Sequence, residues 1–266
     1  MFEALGFTKD PFGKELDPGE AFLSAGFGEL LARLRHMVEH RSLGLVTGEV
    51  GSGKSTAVRV LASELDPTRH PFIYLADSAL TPREFYTAVL ENLGVTPATS
   101  RSAVRRQFET TVADFYEAQN KSPVLVLDEA HELSQPMIRE IRYITNVRMD
   151  ALSPFTLVIV GQPELRGILK LKAFEAVAQR VEIRYHLAGM DLAETKAYLE
   201  HGARVAGVDR PLFAEGAITM LHNQSRGLPR LLGNLARAAL LDAIIRRQEL
   251  VEEANVRRAV AEVQEV

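Results

Sequence analysis

The stretch GEVGSGKS, residues 48–55, constrains this chain more than any other. It follows LGLVTG (43–48), which reads as a short strand, and precedes a helical stretch near 54–65. A strand that turns through glycines into a helix gathers backbone N–H groups and the positive helix end around one point. That point is an anion site. The full G-x-x-x-x-G-K-[ST] pattern in that context is a phosphate loop, and it implies an α/β fold. Gly48, Gly51 and Gly53 let the backbone wrap a triphosphate, with Glu49, Val50 and Ser52 completing the loop. Lys54 is expected to reach the β- and γ-phosphates, Ser55 to offer its hydroxyl to Mg²⁺, and Thr56 to add a contact near the α-phosphate. The expected ligands are ATP and Mg²⁺.

The rest of the chain fits that fold. FIYLAD (72–77), PVLVLD (123–128) and FTLVIVG (155–161) are short, apolar and ended by polar residues, as buried parallel strands are. VEIRYHL (181–187) alternates and reads as an edge strand. Helical patterns lie between them, near 29–41, 54–65, 82–93, 102–119, 134–148 and 164–178. After Leu187 the strands stop. Asp191 with Glu194 three residues on forms a helix-start signature, and helices are expected over 191–207, 212–223, 228–247 and 252–264. The expected division is an α/β nucleotide-binding domain, 1–188, and a small helical domain, 189–266, joined near 187–190.

PVLVLDEAH (123–131) ends the third strand in acid. Open parallel sheets bind ligands at the carboxyl ends of their strands, so Asp128 is expected to face the loop and hold Mg²⁺. Glu129 is then placed to orient and deprotonate the attacking water. His131 either senses nucleotide or packs locally. Asp-Glu-Ala-His also labels a helicase group, but a helicase motor closes its site between two fused motor domains. This chain shows one phosphate loop and one acidic strand end in 266 residues. In place of a second motor it carries SRGLPRLLGNLARAAL (225–240), where Arg230 at a helix start could swing from a lid onto the γ-phosphate.

Composition narrows the setting. There is no Cys, which excludes disulfides and cysteine-held metals. No run of 18 apolar residues occurs; AALLDAII (238–245) is broken by Asp242. The N-terminus lacks a signal-peptide pattern, so a soluble, cytoplasmic protein with no membrane partner is expected. A net charge of −4 gives no bulk support for nucleic-acid binding, which would need a local basic face.

GEVGSGKST, LVLDEAHELS, LVIVGQPEL and GLPRLLGNLARAAL together resemble AAA+ ATPases of the ExeA/GspA-like group. The opening, with its Pro-Phe element and Phe-Leu-Ser segment before the first helix, is similar to that group too. The resemblance spans nearly all the chain. It implies a P-loop AAA+ (ASCE) domain with a five-stranded parallel sheet, carrying an N-terminal segment (1–40), and an all-α lid. It also implies ATP hydrolysis and homo-oligomers, as rings or helical filaments. Gln162 sits where the sensor-1 residue belongs, and Arg180 where an arginine finger would reach a neighbour's site; Arg184 competes with Arg180 for that role. Phe7, Pro11 and Phe12 resemble the segment that borders adenine, and they could equally pack in the core.

Members of the group include secretion accessory proteins and the ATPases that serve transposases, similar to TnsC, TniB and MuB. The expected function is a transposition regulator that assembles on duplex DNA, selects target and recruits or activates a transposase. Arg101, Arg105 and Arg106, with Arg139 and Arg142, are the expected backbone contacts; Arg148 extends that series. The alternative is an ExeA-like ATPase assisting secretion-system assembly. Secretion members usually continue into a membrane span and a cell-wall-binding region, and this sequence shows neither.

Overall fold

Alternation of side chains along four- to six-residue runs builds a five-stranded parallel sheet in the order β2-β3-β4-β1-β5. The structure is a computed structural model that describes residues 2–13, 17–77, 80–149 and 151–264. Part of the resembling N-terminal opening, residues 14–16, lies outside them. In chain order the elements are α1 (Ala25–His40), β1 (Leu43–Gly48), α2 (Lys54–Glu64), β2 (Phe72–Leu75), α3 (Pro82–Asn92), α4 (Arg101–Glu117), β3 (Val124–Leu127), α5 (Gln135–Ile144), β4 (Thr156–Gly161), α6 (Glu164–Leu169), α7 (Glu175–Ala178) and β5 (Ile183–Leu187). The C-terminal helices are α8 (Leu192–Val205), α9 (Glu215–Ser225), α10 (Pro229–Ile245) and α11 (Glu253–Gln264).

Two compact units form. The first holds residues 29–48 and 57–186, with the sheet. Leu43, Leu45, Leu125, Leu127, Leu157 and Ile159 point to one face and share a core with Phe85, Val89, Phe108, Ile141 and Phe174. The period of two sends the intervening residues to the other face. There Gly44 lets α1 approach β1: a Cβ at this glycine would lie 2.2 Å from Met37 Sδ. Two expected helices are shorter than their patterns. The helix expected over 164–178 breaks into α6 and α7, because Leu171 turns extended (φ −65°, ψ 139°) and a short turn at Lys172–Phe174 drives Phe174 inward. The helix expected over 134–148 stops at Ile144, where the Thr145 hydroxyl donates to the carbonyls of Ile141 and Arg142.

The second unit holds residues 1–28, 49–56 and 187–266. Its core joins Leu199, Leu221, Leu232, Leu240 and Val256, and the N-terminal Phe7 is buried in it. The Asp191–Glu194 signature is a true capping box: Glu194 N–H donates to Asp191 Oδ1 (2.8 Å) and Asp191 N–H to Glu194 Oε2 (3.1 Å). Glu194 also accepts from Ala25 N–H at 2.8 Å.

Asp242 is the polar hub of this unit. It accepts from Arg258 Nη2 (2.7 Å), Asn255 Nδ2 (2.8 Å) and Arg246 Nε (3.1 Å). The Arg258 hydrogen bond above all brings its carboxyl from 3.8 down to about 2, against the opposing effect of partial burial and with help from Asn255 and Arg246. A folded value below the unfolded one means that ionised Asp242 stabilises the fold above 3.8, and that this contribution fades as pH falls from 3.8 towards about 2. Across that window the thermal midpoint of the parent protein is expected to fall more steeply than that of Asp242→Asn. Equal slopes in melting curves would remove Asp242 from the acid response.

Candidate nucleotide site

The phosphate loop belongs to the helical unit, and its geometry is that of a backbone cradle. Gly51 (φ +78°) and Gly53 (φ +107°) both occupy the left-handed region that favours glycine. Gly53 sits 3.7 Å from the Phe27 ring and 3.8 Å from Leu187, measured from the Cβ it lacks. Lys54 opens α2; it is 8% exposed, and its Nζ donates to Glu49 O at 2.9 Å. Ser52 is buried, and its hydroxyl has no hydrogen-bond partner among the described residues. Glycines at positive φ, a buried ammonium, a helix N-terminus and a buried unpaired hydroxyl together fit a bound polyphosphate. Ser55 and Thr56 follow on the first turn of the helix.

The lid helix touches this loop through its backbone. α10 has no side-chain cap at Leu228, which leaves its first N–H groups in need of partners. The Arg230 N–H finds the carbonyl of Gly51 at 3.2 Å. The approach is so close that a Cβ on Gly51 would lie 2.7 Å from Arg230 Cβ. The turn before α10 is held just as tightly. Arg226 and Gly227 are both left-handed (φ +53° and +67°), and the Gly227 carbonyl accepts from Met190 N–H at 3.0 Å. A side chain at Gly227 would run into Met190 O at 2.0 Å. Phe12 stacks on Tyr198 (ring centroids 5.9 Å apart) and lies over Gly202, with Pro11 buried beside it.

In the sheet unit, β1, β3 and β4 end on one edge. Asp128, 3% exposed, follows β3 there. Its Oδ2 accepts from the Tyr74 hydroxyl (2.6 Å) and its Oδ1 from Glu129 N–H (2.8 Å). Tyr74, on β2, is a partner that sequence reasoning missed; its only signal was a phenol beside a strand end. Glu129 is left-handed (φ 51°, ψ 32°). Such a backbone costs about 1–3 kcal/mol for a non-glycine residue and concentrates at functional sites. The strained turn leaves the Glu129 carboxylate half-exposed.

His131, next along this turn, is bound to Gln162 at the end of β4. Gln162 N–H donates to His131 Nδ1 (3.4 Å), and the Gln162 side-chain amide lies 2.7 Å from Nε2. The atom of that amide facing the ring is its nitrogen, Gln162 Nε2, and Glu132 Oε1 lies 3.5 Å from the same ring nitrogen. Glu129 Oε2 stands 3.6 Å from Nδ1, beyond hydrogen-bond length. His131 thus stands between Glu129 and Gln162.

The candidate arginines fall in several places. On α4, Arg101 and Arg105 approach Glu140 of α5 at 3.3 and 3.7 Å; Glu140 is buried and also accepts from Tyr86 (2.8 Å). Burial, and then the Glu140 hydrogen bond, push the Tyr86 hydroxyl well above its ordinary range, so it remains a donor to the carboxylate. Arg106 and Arg139 are exposed. Arg148 pairs with Glu117. Arg180 and Arg142 line one cavity at the opposite, amino-terminal edge of the sheet. Arg184 donates to the carbonyl of Ala178 and lines a separate cavity.

Residues 35–169 match the family described as AAA domain. General secretion pathway protein A of Aeromonas hydrophila is 30% identical over 262 residues, covering 97% of this chain and 47% of that protein. The chain thus spans about half the length of that relative. Among solved structures, Cdc6p from Pyrobaculum aerophilum superposes with a TM-score of 0.71 at 15% identity, over 97% of this chain and 72% of its own. Drosophila ORC bound to DNA superposes with a TM-score of 0.70 at 17% identity, over 98% of this chain and 66% of its own. These two likenesses show the fold.

Proposed function

The chain belongs to the AAA domain family and is an ATPase, and on that footing we propose that it assembles on duplex DNA as a homo-oligomer and regulates transposition, selecting target DNA and recruiting or activating a transposase. The nucleotide half of this reading rests on the Arg230–Gly51 contact, which joins the lid helix to the loop that takes the phosphates. Gly48 to Thr56 hold the triphosphate, and Ser55 and Asp128 hold Mg²⁺, which supplies charge neutralisation when bound. Glu129 takes the proton from the attacking water, Gln162 orients it through its contact with His131, and Arg230 meets the γ-phosphate in cis. Arg180 meets the γ-phosphate of a neighbour, so turnover depends on assembly. Phe12 borders the base. The setting is cytoplasmic; among the described residues no helix is long and apolar enough to cross a membrane.

The DNA half is supported by the arginines carried on α4 and α5. Glu140 ties Arg101 and Arg105 to α5, and Arg106, Arg139 and Arg142 stand exposed on the same two helices. Repeated around an assembly, such arginines bind the phosphate backbone without reading sequence. Fluorescence anisotropy with duplex DNA is expected to show binding with ATP or a slowly hydrolysed analogue and weak binding with ADP. Arg106→Ala and Arg139→Ala are each expected to lower the salt slope by about 1. Absence of nucleotide-dependent binding at low salt would sink this half. A second reading, an ATPase that assists assembly of a secretion system, is favoured by the kinship with general secretion pathway protein A. That reading takes over if DNA binding fails while ATP turnover persists.

A further inference from the structure

The last turn of α1 carries three exposed side chains of one kind of chemistry. His36, Glu39 and His40 each offer a metal-ligating atom, and these atoms lie within 4.8 Å of one another. The spacing brings them together, because residues three and four apart are neighbours on a helix surface.

Two features prepare this group for a cation. The first is the tautomer of His40. Its Nδ1 lies 3.0 Å from the carbonyl of His36. A carbonyl only accepts, so Nδ1 carries the proton, and the Nε2 of the neutral ring keeps its lone pair. Metal-ligating histidines are held in this way, donating from the second ring nitrogen. The His36 ring lies against that of His40, with centroids 3.9 Å apart. The second feature is Glu39. The arginines beside it in sequence are engaged elsewhere: Arg33 with Glu29 (2.6 Å), Arg35 with Glu64 (2.6 Å), and Arg41 with Ser153 O (2.9 Å) and the face of Tyr116. Among the described residues the Glu39 carboxylate has no ion pair. A helix carboxyl end carries partial negative charge, which favours a cation and disfavours a carboxylate. That charge accounts for His40 alone. It leaves a second imidazole and an unpaired carboxylate on the same turn to be explained.

We propose that His36, Glu39 and His40 form a site for a divalent transition-metal ion of the Zn²⁺ or Cu²⁺ class. Imidazoles supply two of the three donors, and nitrogen donors suit these ions, whereas Mg²⁺ prefers oxygen. The site therefore differs in chemistry from the Mg²⁺ position assigned to Ser55 and Asp128. Tetrahedral zinc with bonds of about 2.0–2.2 Å needs its donors roughly 3.3–3.6 Å apart, so the exposed side chains close in on the ion. Three protein donors leave a fourth position open to water. The bound ion clips one helical turn, and it offsets the negative charge that Glu39 adds to the end of α1.

The test titrates Zn²⁺ by calorimetry into the full, untagged chain without nucleotide, in the presence of excess Mg²⁺. One saturable Zn²⁺ site per chain is expected. His36→Ala and His40→Ala are each expected to weaken it about tenfold or more, and Glu39→Gln to weaken it too. Both rings are exposed and alanine favours helix, so the metal-free melting midpoints of the histidine variants should stay close to that of the parent. The ion binds only where the helical turn is formed, so Zn²⁺ should raise the parent's midpoint and leave that of the double histidine variant unmoved. Cu²⁺ electron paramagnetic resonance adds a count of donors: two nitrogens in the parent and one in each single histidine variant. No saturable Zn²⁺ binding, binding that survives the double substitution, or a single nitrogen in the parent spectrum overturns the site. None of these readouts uses ATP turnover or DNA, so the result stands apart from the proposed function.

Discussion

Glu129→Gln is expected to lower ATP turnover by about 10²–10⁴-fold, the usual contribution of a general base, while nucleotide still binds. Glutamine has the same shape and cannot take a proton. Among the described residues the Glu129 carboxylate makes no hydrogen bond: it is half-exposed, and His131 Nδ1 is 3.6 Å away. The left-handed turn stays as it is, so the loss is chemical and not structural. ATP should then persist on the protein, and where ATP drives assembly, oligomers should accumulate. Single-turnover hydrolysis with light scattering measures both. A variant that hydrolyses at the parent rate would show that Glu129 is not the base.

Periodic patterns and local chemistry were the legible part of this chain. The strand at 124–127 appears within one residue of its expected ends because it is a short, wholly apolar and fully buried run ended by a polar residue. The start of α8 was readable because Asp191 and Glu194 satisfy each other's backbone. Less legible was whatever depends on residues far apart. The pattern over 164–178 contains no proline, yet the helix breaks at Leu171, where core packing of Phe174 overrides local propensity. Arg101 and Arg105 share a helical face by spacing, but their pairing with a buried glutamate 39 residues beyond Arg101 could not be read from it. The same holds for Tyr74 on Asp128, 54 residues apart. His131 had two readings, and only the positions of Gln162 and Glu129 show what it touches.

Gly51 stands at a position the general phosphate-loop pattern leaves open, and the structure gives two reasons for its glycine. Its φ is +78°, and the side chain of Arg230, at the start of α10, lies directly over it. Gly51→Ala is therefore expected to act twice. The left-handed backbone costs about 1–2 kcal/mol with a side chain, and a Cβ 2.7 Å from Arg230 Cβ forces the lid helix off the loop. Both effects strike the cradle before chemistry, so ATP affinity should fall about tenfold or more. Arg230→Ala separates the lid's two contributions. It keeps the backbone N–H that donates to Gly51 O at 3.2 Å, and so keeps the lid docked and the affinity near that of the parent. It removes the guanidinium, and turnover should fall towards the 10³-fold loss typical of an arginine acting on the γ-phosphate, about 4 kcal/mol. Affinity for a slowly hydrolysed analogue, measured beside kcat, distinguishes the two. Were Arg230→Ala to lose affinity as Gly51→Ala does, with kcat intact, the side chain would serve docking, and the lid's effect on chemistry would lie elsewhere.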